Sequence, residues 1–186
     1  MTAPELACYE RHLGGASALL EYGAGGSTVL AAKSGVQSLY TVDTDRAWLD
    51  KVKTYAPVQA MLAGGAAKLV HVDLGRIGRW GKPTNLLTTP SWPRYARQPW
   101  ADGYSPDLVL IDGRFRVSCV MQALWHGKAG TKIAVHDFWN RSRLQAVLPY
   151  VDIIDRSETL AVFVRKPQWS VPRAAWTTGR HLFSRG

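Results

Sequence analysis

The chain has few cysteines, no long hydrophobic run and fewer acidic than basic residues. Its two cysteines, Cys8 and Cys119, form no metal-binding spacing, and we expect both to be reduced thiols that pack in the core. No apolar stretch approaches the length of a membrane span. Near the start stand Glu5, Glu10 and Arg11, where a secretory signal would need an apolar block. We therefore expect a cytoplasmic protein with no membrane partner.

The shortage of acids makes the chain strongly basic. With 23 Lys and Arg against 14 Asp and Glu, the net charge is +9 and the pI is about 9.8. Such a charge favours an acidic partner or substrate, and nucleic acid is one candidate. The sequence has no RNP motif, zinc spacing or long basic helix, and its basic residues are scattered, most densely from Arg165 onward. Nucleic acid binding is therefore an alternative and is not favoured.

The length and the order of patterns indicate one α/β domain. A chain of 186 residues that is 46% hydrophobic can bury one substantial core. Apolar runs alternate with helical patterns, including one over residues 139–148, which predicts a parallel sheet covered on both faces. The last two apolar runs, 151–154 and 159–164, are too close for a parallel crossover and should pair antiparallel. We predict a domain over 1–165 and a basic, partly ordered extension over 166–186.

A glycine-rich turn between an apolar run and a helical pattern is the most informative local feature. Residues 19–28 read LLEYGAGGST, in which apolar residues lead to an acid and then to three glycines. Glycine permits positive φ and close approach of a ligand, and the first turn of the next helix attracts negative charge. This pattern predicts a nucleotide-like ligand. The alternative is a turn that only packs a helix on a strand.

The spacing within this turn distinguishes two cofactor classes. The dinucleotide fingerprint G-x-G-x-x-G needs a glycine where Thr28 stands, which leaves a nicotinamide enzyme as a lesser alternative. Glu21-x-Gly23-x-Gly25-x-Ser27 instead resembles motif I, E/D-x-G-x-G-x-G, of the class I S-adenosylmethionine-dependent methyltransferases, with Ser27 replacing the last glycine. The resemblance implies that S-adenosyl-L-methionine is bound around this turn, by Glu21, Gly23, Gly25, Gly26, Ser27 and Thr28.

Carboxylates follow five of the predicted strands: Glu21, Asp43, Asp73, Asp112 and, one residue late, Asp137. The carboxyl ends of parallel strands share one edge, and five acids there are costly unless they are solvated or face cations. The cofactor carries a sulfonium and an ammonium group. We predict that Asp43, with Thr44 beside it, binds the ribose, because Asp45 can cap the following helix. The resemblance assigns Asp73 to the adenine amine and Asp112 to the cofactor.

The resemblance covers residues 13 to 165, and the run 110–116 with 136–138 is similar to a small bacterial branch of the superfamily. It implies a three-layer, Rossmann-like seven-stranded sheet with an antiparallel last strand, and a methyltransferase activity. We expect O-methylation of a small or carbohydrate-type acceptor. The alternatives are an RNA or protein methyltransferase that uses the basic surface, and a non-catalytic module that binds S-adenosylmethionine.

Three side chains are candidates for removing the proton from an acceptor hydroxyl. Asp112, His136 and Asp137 follow neighbouring predicted strands and should converge at one edge of the sheet. His136 is the preferred base, because the unperturbed pKa of histidine is closest to neutrality. The alternative for His136 is a structural histidine that bonds to a neighbouring strand or acid.

Two further features bear on the acceptor and on metal binding. Asp112 and Asp137 resemble in position two metal ligands of the catechol-type O-methyltransferases. The asparagine that follows in those enzymes is Phe138 here, and we predict no metal. Arg114 and Arg116 open a helix, where cations oppose the dipole, and are candidates for binding an anionic group of the acceptor.

The connection over residues 75–105 is unusually long for a compact domain. It contains Trp80, Trp92, Tyr95 and Trp100, and aromatic side chains need a surface to pack on. We predict a lid that closes over the cofactor and shapes the acceptor pocket. The alternative is a structural insertion that seals an edge of the sheet.

Overall fold

The computed structural model describes residues 1–184, and of Trp80 and Leu86 it describes the backbone alone. Its sheet has seven strands: β1 (Ala18–Tyr22), β2 (Ser38–Asp43), β3 (Ala67–His71), β4 (Leu108–Ile111), β5 (Lys132–Val135), β6 (Val151–Ser157) and β7 (Leu160–Arg165). Their order across the sheet is 3-2-1-4-5-7-6. Strands β1 to β5 pair in parallel, and β7 lies antiparallel between β5 and β6. The predicted fold class is confirmed, including the antiparallel last strand.

Seven α-helices are described: α1 (Ala3–Leu13), α2 (Gly26–Lys33), α3 (Arg46–Lys53), α4 (Ala56–Ala63), α5 (Pro93–Ala101), α6 (Arg116–His126) and α7 (Val171–His181). The alternation of side chains along each strand sorts the core into two layers. In β4, Leu108 and Leu110 face a cluster with α1 and α2, whereas Val109 and Ile111 face a cluster with α5 and α6. The sheet is therefore buried on both faces. In residues 1–184, no helix is both long enough and apolar enough to cross a bilayer.

Much of the segment 75–105 belongs to the core. Helix α5 is the crossover between β3 and β4, and Tyr95 on it is fully buried. The hydroxyl of Tyr22 donates to the carbonyl of Ala96 at 2.7 Å and accepts from the indole N–H of Trp100 at 2.9 Å. The lid prediction is wrong for this half of the segment, because its aromatic side chains pack on the sheet. For residues 75–91 it stays a prediction.

Two elements near the end of the chain differ from expectation. Residues Ser142–Tyr150 form a 3₁₀ helix in place of the α-helix predicted over 139–148, and Pro149 lies inside it. Within 166–186, the described part includes α7, which begins at the N-cap Ser170 and buries Ala174 and Thr177. The hydroxyl of Tyr150 lies 2.7 Å from that of Thr177, so α7 packs on the 3₁₀ helix. The boundary between domain and extension stays a prediction.

Candidate active site

The site is built where β1 and β4 lie side by side and their connections leave in opposite directions. Ligands of open α/β sheets bind in the crevice outside such a switch point. Gly23, after β1, has φ +99°, and a Cβ there would come within 2.7 Å of the Cα of Gly113, after β4. A Cβ on Gly113 would overlap the hydroxyl of Tyr95. Both turns therefore need glycine for close packing of the backbone.

A cavity of about 710 Å³ opens above these two glycines, a size typical of pockets for small organic ligands. Five of the residues predicted for the site line it: Gly23, Asp43, Asp112, His136 and Asp137. The cavity also has lining residues that the sequence analysis did not assign to the cofactor or to catalysis: Met1, Ala24, Asp45, Trp48, Gly81, Gly113, Arg114, Arg116 and Arg141. The structure thus brings the ends of β1, β2, β4 and β5 to one cavity.

Asp43, at the end of β2, points back to the glycine loop. Its Oδ2 accepts from the backbone N–H of Ala24 at 2.8 Å, and its Oδ1 accepts from that of Asp45 at 2.9 Å. Burial raises the pKa of Asp43, and these backbone hydrogen bonds oppose the rise. Asp45 caps α3 by accepting from the N–H of Trp48 at 3.0 Å, as the sequence predicts, and the binding of the ribose by Asp43 stays a prediction.

Glu21 lies beneath the glycine loop, and its carboxylate has no exposed surface. It accepts hydrogen bonds from the hydroxyls of Ser27, of Thr28 at 2.5 Å and of Thr41 at 3.0 Å. Burial raises the pKa of Glu21 to about 7, although the three hydroxyls lower it. The structure does not bring the Glu21 carboxylate to the cavity, because it is enclosed and holds the loop to β1 and β2. Its role at the cofactor stays a prediction.

The start of α2 is held from inside the loop. The hydroxyl of Thr28 is fully buried and accepts from the N–H of Gly25 at 2.8 Å, in addition to its bond to Glu21. Among the described residues that line the cavity, neither Ser27 nor Thr28 is present. A Cβ on Gly25 or on Gly26 would meet nothing within 4 Å, so the space above this turn is open.

Two further predicted residues are directed elsewhere. The buried hydroxyl of Thr44 donates to the carbonyl of Gly81 at 2.9 Å and holds the turn after β3. Asp73 is exposed, accepts from the N–H of Gly75 at 2.8 Å, and is absent from the described residues that line the cavity. The structure does not bring either side chain to the cavity, and their roles at the cofactor stay predictions.

His136, directly after β5, bridges two carboxylates. Its Nδ1 lies 2.9 Å from Oδ1 of Asp112, and its Nε2 lies 3.2 Å from Oε2 of Glu5 on α1. An imidazole can donate to two carboxylates at once only when both nitrogens carry protons. The hydrogen bond with Asp112 raises the pKa of His136, and partial burial opposes this. The arrangement therefore favours the protonated ring.

Glu5 is fixed by the capping of α1. Its carboxylate accepts from the backbone N–H of Thr2 at 2.9 Å and from that of Thr159 at 3.0 Å, as well as from the hydroxyl of Thr159. Burial acts to raise the pKa of Glu5, but these hydrogen bonds and His136 bring it down to about 2. Glu5 is thus a buried anion, and α1 is joined through it to the strand ends.

Arg116, at the start of α6, links the residues that follow β4 and β5. The guanidinium is buried, and it donates to the carbonyls of Gly113 at 3.0 Å and Asp112 at 2.7 Å, and to that of His136. It also lies 3.0 Å from Oδ1 of Asp112 and 3.4 Å from Oδ2 of Asp137. The expectation that Arg116 binds an anionic acceptor is corrected, because these contacts occupy its donors.

Asp137 is paired with a second arginine. Its Oδ2 accepts from Arg141 at 2.6 Å, and Oδ1 accepts from the amide of Asn140 at 3.2 Å. Burial acts to raise the pKa of Asp137, but these hydrogen bonds and the positive charges of His136 and Arg116 lower it overall. A carboxylate with a lowered pKa is a weak proton acceptor, which leaves His136 the better candidate base.

Sequence reasoning did not assign Trp48 or Glu5 to the site. Trp48 is 42% exposed, and its indole N–H donates to the carbonyl of Ala24 at 2.7 Å, which places the ring at the mouth of the cavity. A signal for Trp48 was its position three residues after the capping Asp45, on the first turn above the glycine loop. Glu5 lies far from His136 in the sequence, and no local pattern relates them.

Comparisons with solved structures agree with this fold. A methyltransferase-like protein from Silicibacter pomeroyi aligns with a TM-score of 0.84 and 29% identity, over 99% of this chain and 96% of its own. Cofactor-bound Rv0187 from MTB aligns with a TM-score of 0.58 and 15% identity, over 90% of this chain and 82% of its own. An RNA methyltransferase from Salinibacter ruber, in complex with S-adenosyl-L-homocysteine, aligns with a TM-score of 0.53 and 12% identity, over 92% of this chain and 97% of its own. The last two share the fold alone. No family model and no curated protein matches the sequence.

Proposed function

We propose, because this chain belongs to the class I S-adenosylmethionine-dependent methyltransferase superfamily, that it binds S-adenosyl-L-methionine in the cavity described above and transfers a methyl group to an acceptor oxygen. The observation that carries the proposal is the position of Asp43. Its carboxylate lines the cavity and is tied by hydrogen bonds to the glycine loop at Ala24. A carboxylate so placed at the end of β2 can accept from both hydroxyls of a ribose.

The residues present fit the cofactor. A carboxylate has about four lone-pair positions, and the backbone N–H groups of Ala24 and Asp45 take one on each oxygen of Asp43. Positions for two ribose hydroxyls are left. The open space above Gly25 and Gly26 admits the amino acid part of the ligand, and Asp112 supplies negative charge toward its cationic groups.

Bound S-adenosylmethionine supplies an electrophilic methyl group. The work of the protein is then to align the acceptor oxygen, to exclude water and to take the proton of the hydroxyl. His136 is the base that we propose, with Asp112 as the residue that orients it through Nδ1. In its neutral form the ring donates Nδ1–H to Asp112, and the acceptor hydroxyl has to take the place of the Glu5 carboxylate, 3.2 Å from Nε2, to reach the lone pair of that nitrogen.

The rate of methyl transfer should depend on the ionisation of His136. Because the pKa of His136 is raised by Asp112, the ring is protonated at a pH where an isolated histidine is already half neutral. Only the neutral ring can accept a proton. Because Asp112 raises the pKa of His136, methyl transfer should increase with pH through a value above 6.5. The Glu5 anion, 3.2 Å from Nε2, should add to this effect.

The acceptor that we propose is a small or carbohydrate-type molecule with an anionic group. Arg114 and Arg141 line the cavity on the side of β4 and β5, and Arg141 is exposed while it contacts Asp137. An arginine at the rim can bind a carboxylate or phosphate in bidentate fashion. Substitution Arg141→Gln should raise KM for such an acceptor more than it changes kcat.

Calorimetric titration tests the proposal. S-Adenosylhomocysteine should bind the purified protein, whereas NAD should give no heat of binding at the same concentrations. Transfer of a labelled methyl group to fractions of a cell extract then identifies the acceptor. Replacement His136→Asn should abolish transfer and leave the affinity for S-adenosylhomocysteine within about twofold. Binding of NAD in place of S-adenosylhomocysteine would overturn the proposal.

A further inference from the structure

A second cleft, of about 640 Å³, lies between the 3₁₀ helix Ser142–Tyr150 and α7. Arg143, Arg173, Arg180 and His181 line it, and its described lining residues include no Asp or Glu. The charge follows from the sequence, because residues 138–151 and 159–186 contain no acidic residue. We name this surface the basic cleft. Its cations have no acidic side chain beside them in the lining.

The electrostatic field in the basic cleft is positive. Arg143, Arg180 and His181 line the same cleft, and the pKa of His181 is lowered by partial burial and then by the charges of Arg180 and Arg143. Such a concentration of positive charge is unfavourable in isolation and is relieved when an anion binds. The guanidinium groups of Arg143, Arg173 and Arg180 belong to exposed residues and can therefore reach a ligand from solution.

A large aromatic side chain stands in the wall of the same cleft. Trp176 is 62% exposed, and the guanidinium of Arg180 lies 5.0 Å from the centre of its ring. The inner face of α7 is packed through Ala174 and Thr177, so the fold does not need a tryptophan on the outer face. An exposed ring flanked by a cation provides a flat surface on which a nucleic acid base can stack.

The basic cleft runs toward the candidate active site. Tyr150, at the end of the 3₁₀ helix, donates to the carbonyl of Arg173 near the start of α7 at 3.0 Å. Arg143, near the start of the 3₁₀ helix, donates to the hydroxyl of Ser184 beyond the end of α7 at 3.4 Å. The two elements are therefore antiparallel. The end of the cleft at Arg143 is two residues from Arg141, which lines the cavity at the strand ends.

We propose that the basic cleft is a binding site for single-stranded nucleic acid, in which Arg143, Arg173 and Arg180 bind phosphates and Trp176 stacks on a base. Cations that follow the phosphate backbone, together with an aromatic platform, are the combination by which proteins bind single strands without sequence preference. The concave shape of the cleft favours a strand over a flat membrane surface. This site goes beyond the proposed function and does not depend on the reaction.

Fluorescence anisotropy with a labelled 12-nucleotide oligouridylate tests the site, with KCl varied from 50 to 200 mM. The wild-type chain should bind, and log K should fall linearly with log salt concentration. The double variant Arg173→Ala/Arg180→Ala should bind at least about tenfold more weakly, and its salt slope should be smaller by about 1.4, since each phosphate contact on a single strand contributes about 0.7. Trp176→Ala should weaken binding about tenfold with an unchanged slope.

A matched control separates the cleft from net charge. Lys33→Ala/Lys128→Ala removes two positive charges from exposed residues outside the cleft lining and should keep binding within about twofold. Equal losses in the two double variants would overturn the site, as would binding of anionic vesicles or of polyglutamate in place of the oligonucleotide. Urea unfolding shows that each variant is folded, and calorimetry with S-adenosylhomocysteine tests the proposed function separately. Methyl transfer to the oligonucleotide itself would support the cleft and replace the small acceptor.

Discussion

Nε2 of His136 lies 3.2 Å from Oε2 of Glu5, so the proposed base at the end of β5 is joined to the first turn of α1. The other ring nitrogen lies 2.9 Å from Asp112. A ring between two carboxylates retains its proton more strongly than an isolated ring. The pKa of the proposed base therefore depends on residues from two distant parts of the chain.

Replacement of either carboxylate should lower the pKa of His136. The effect of Asp112→Asn should be the larger, because the hydrogen bond with Asp112 is the main cause of the raised value. Glu5→Gln should produce a smaller fall and move the pH profile of methyl transfer toward lower pH. NMR titration of the His136 ring protons measures both shifts. Glu10→Gln, on the exposed side of α1, is the control and should leave the titration unchanged.

The buried Glu21 should make stability depend on pH. Its pKa is raised from 4.5 in the unfolded chain to about 7 in the native state, so the unfolded chain loses this proton first. Stability of the wild type should therefore fall as pH rises from 4.5 to 7, by up to about 3 kcal/mol. Glu21→Gln has no proton to lose, and its free energy of unfolding should increase relative to the wild type over that interval.

Urea unfolding of both proteins between pH 4.5 and 8 measures the effect of Glu21. The variant Glu10→Gln, at an exposed position, is the control. Its free energy of unfolding should follow that of the wild type across this pH range. A constant difference between wild type and Glu21→Gln across this range would mean that Glu21 is ionised in the native state throughout.

The contact between the β4 turn and α5 should be detectable as a coupling between Gly113 and Tyr95. Gly113→Ala places a methyl group against the hydroxyl of Tyr95 and should cost about 1–3 kcal/mol of stability. Removing that hydroxyl with Tyr95→Phe should relieve part of this loss of stability. The rest should remain, because the added Cβ still lies 3.0 Å from the backbone N of Gly23. Urea unfolding of the four combinations measures the coupling.

Gly179→Ala is the control for Gly113, because a Cβ at Gly179 in α7 meets nothing within 4 Å and alanine is the better helix former. This substitution should stabilise the protein by about 0.5–1 kcal/mol. If Gly113→Ala costs the same with tyrosine or phenylalanine at 95, the overlap is not the cause of its destabilisation.

Loss of the Asp43 charge should weaken cofactor binding. Asp43→Asn removes an anionic acceptor from the cavity wall, and the affinity for S-adenosylhomocysteine should fall at least about tenfold, since hydrogen bonds to charged groups contribute about 1.5–3 kcal/mol. Calorimetry measures the change. Asp50→Asn, on the exposed side of α3, removes an equal charge and should bind as the wild type does. Equal affinities for all three proteins would remove Asp43 from the binding site.

Features that depend on local order along the chain could be predicted. The glycine loop, Asp43 at the end of β2 and the cap at Asp45 follow from short patterns in which strand, turn and helix succeed one another. The antiparallel pair β6 and β7 follows from a connection too short for a crossover. In each case the residues that decide the structure lie within a few positions of one another.

Features that depend on packing between distant segments could not be predicted. Glu5 reaches His136 only because α1 lies against the end of β5. Helix α5 contains Pro99, which weakens its helical sequence pattern. Its packing on the sheet, through Tyr95 and Ala96, is nevertheless extensive. The enclosure of Glu21 by Ser27 and Thr28 depends on the return of α2 over β1, and the motif alone does not distinguish an acid that faces the ligand from one that holds the loop.

A crystal structure with S-adenosylhomocysteine at saturating concentration tests the central claim most directly. The ribose hydroxyls should lie within hydrogen-bonding distance of the Asp43 carboxylate, the amino acid part should lie above Gly25, and the sulfur should be directed toward Asp112 and His136. An empty cavity at that concentration, or a nucleoside bound away from Gly23 and Asp43, would contradict the account.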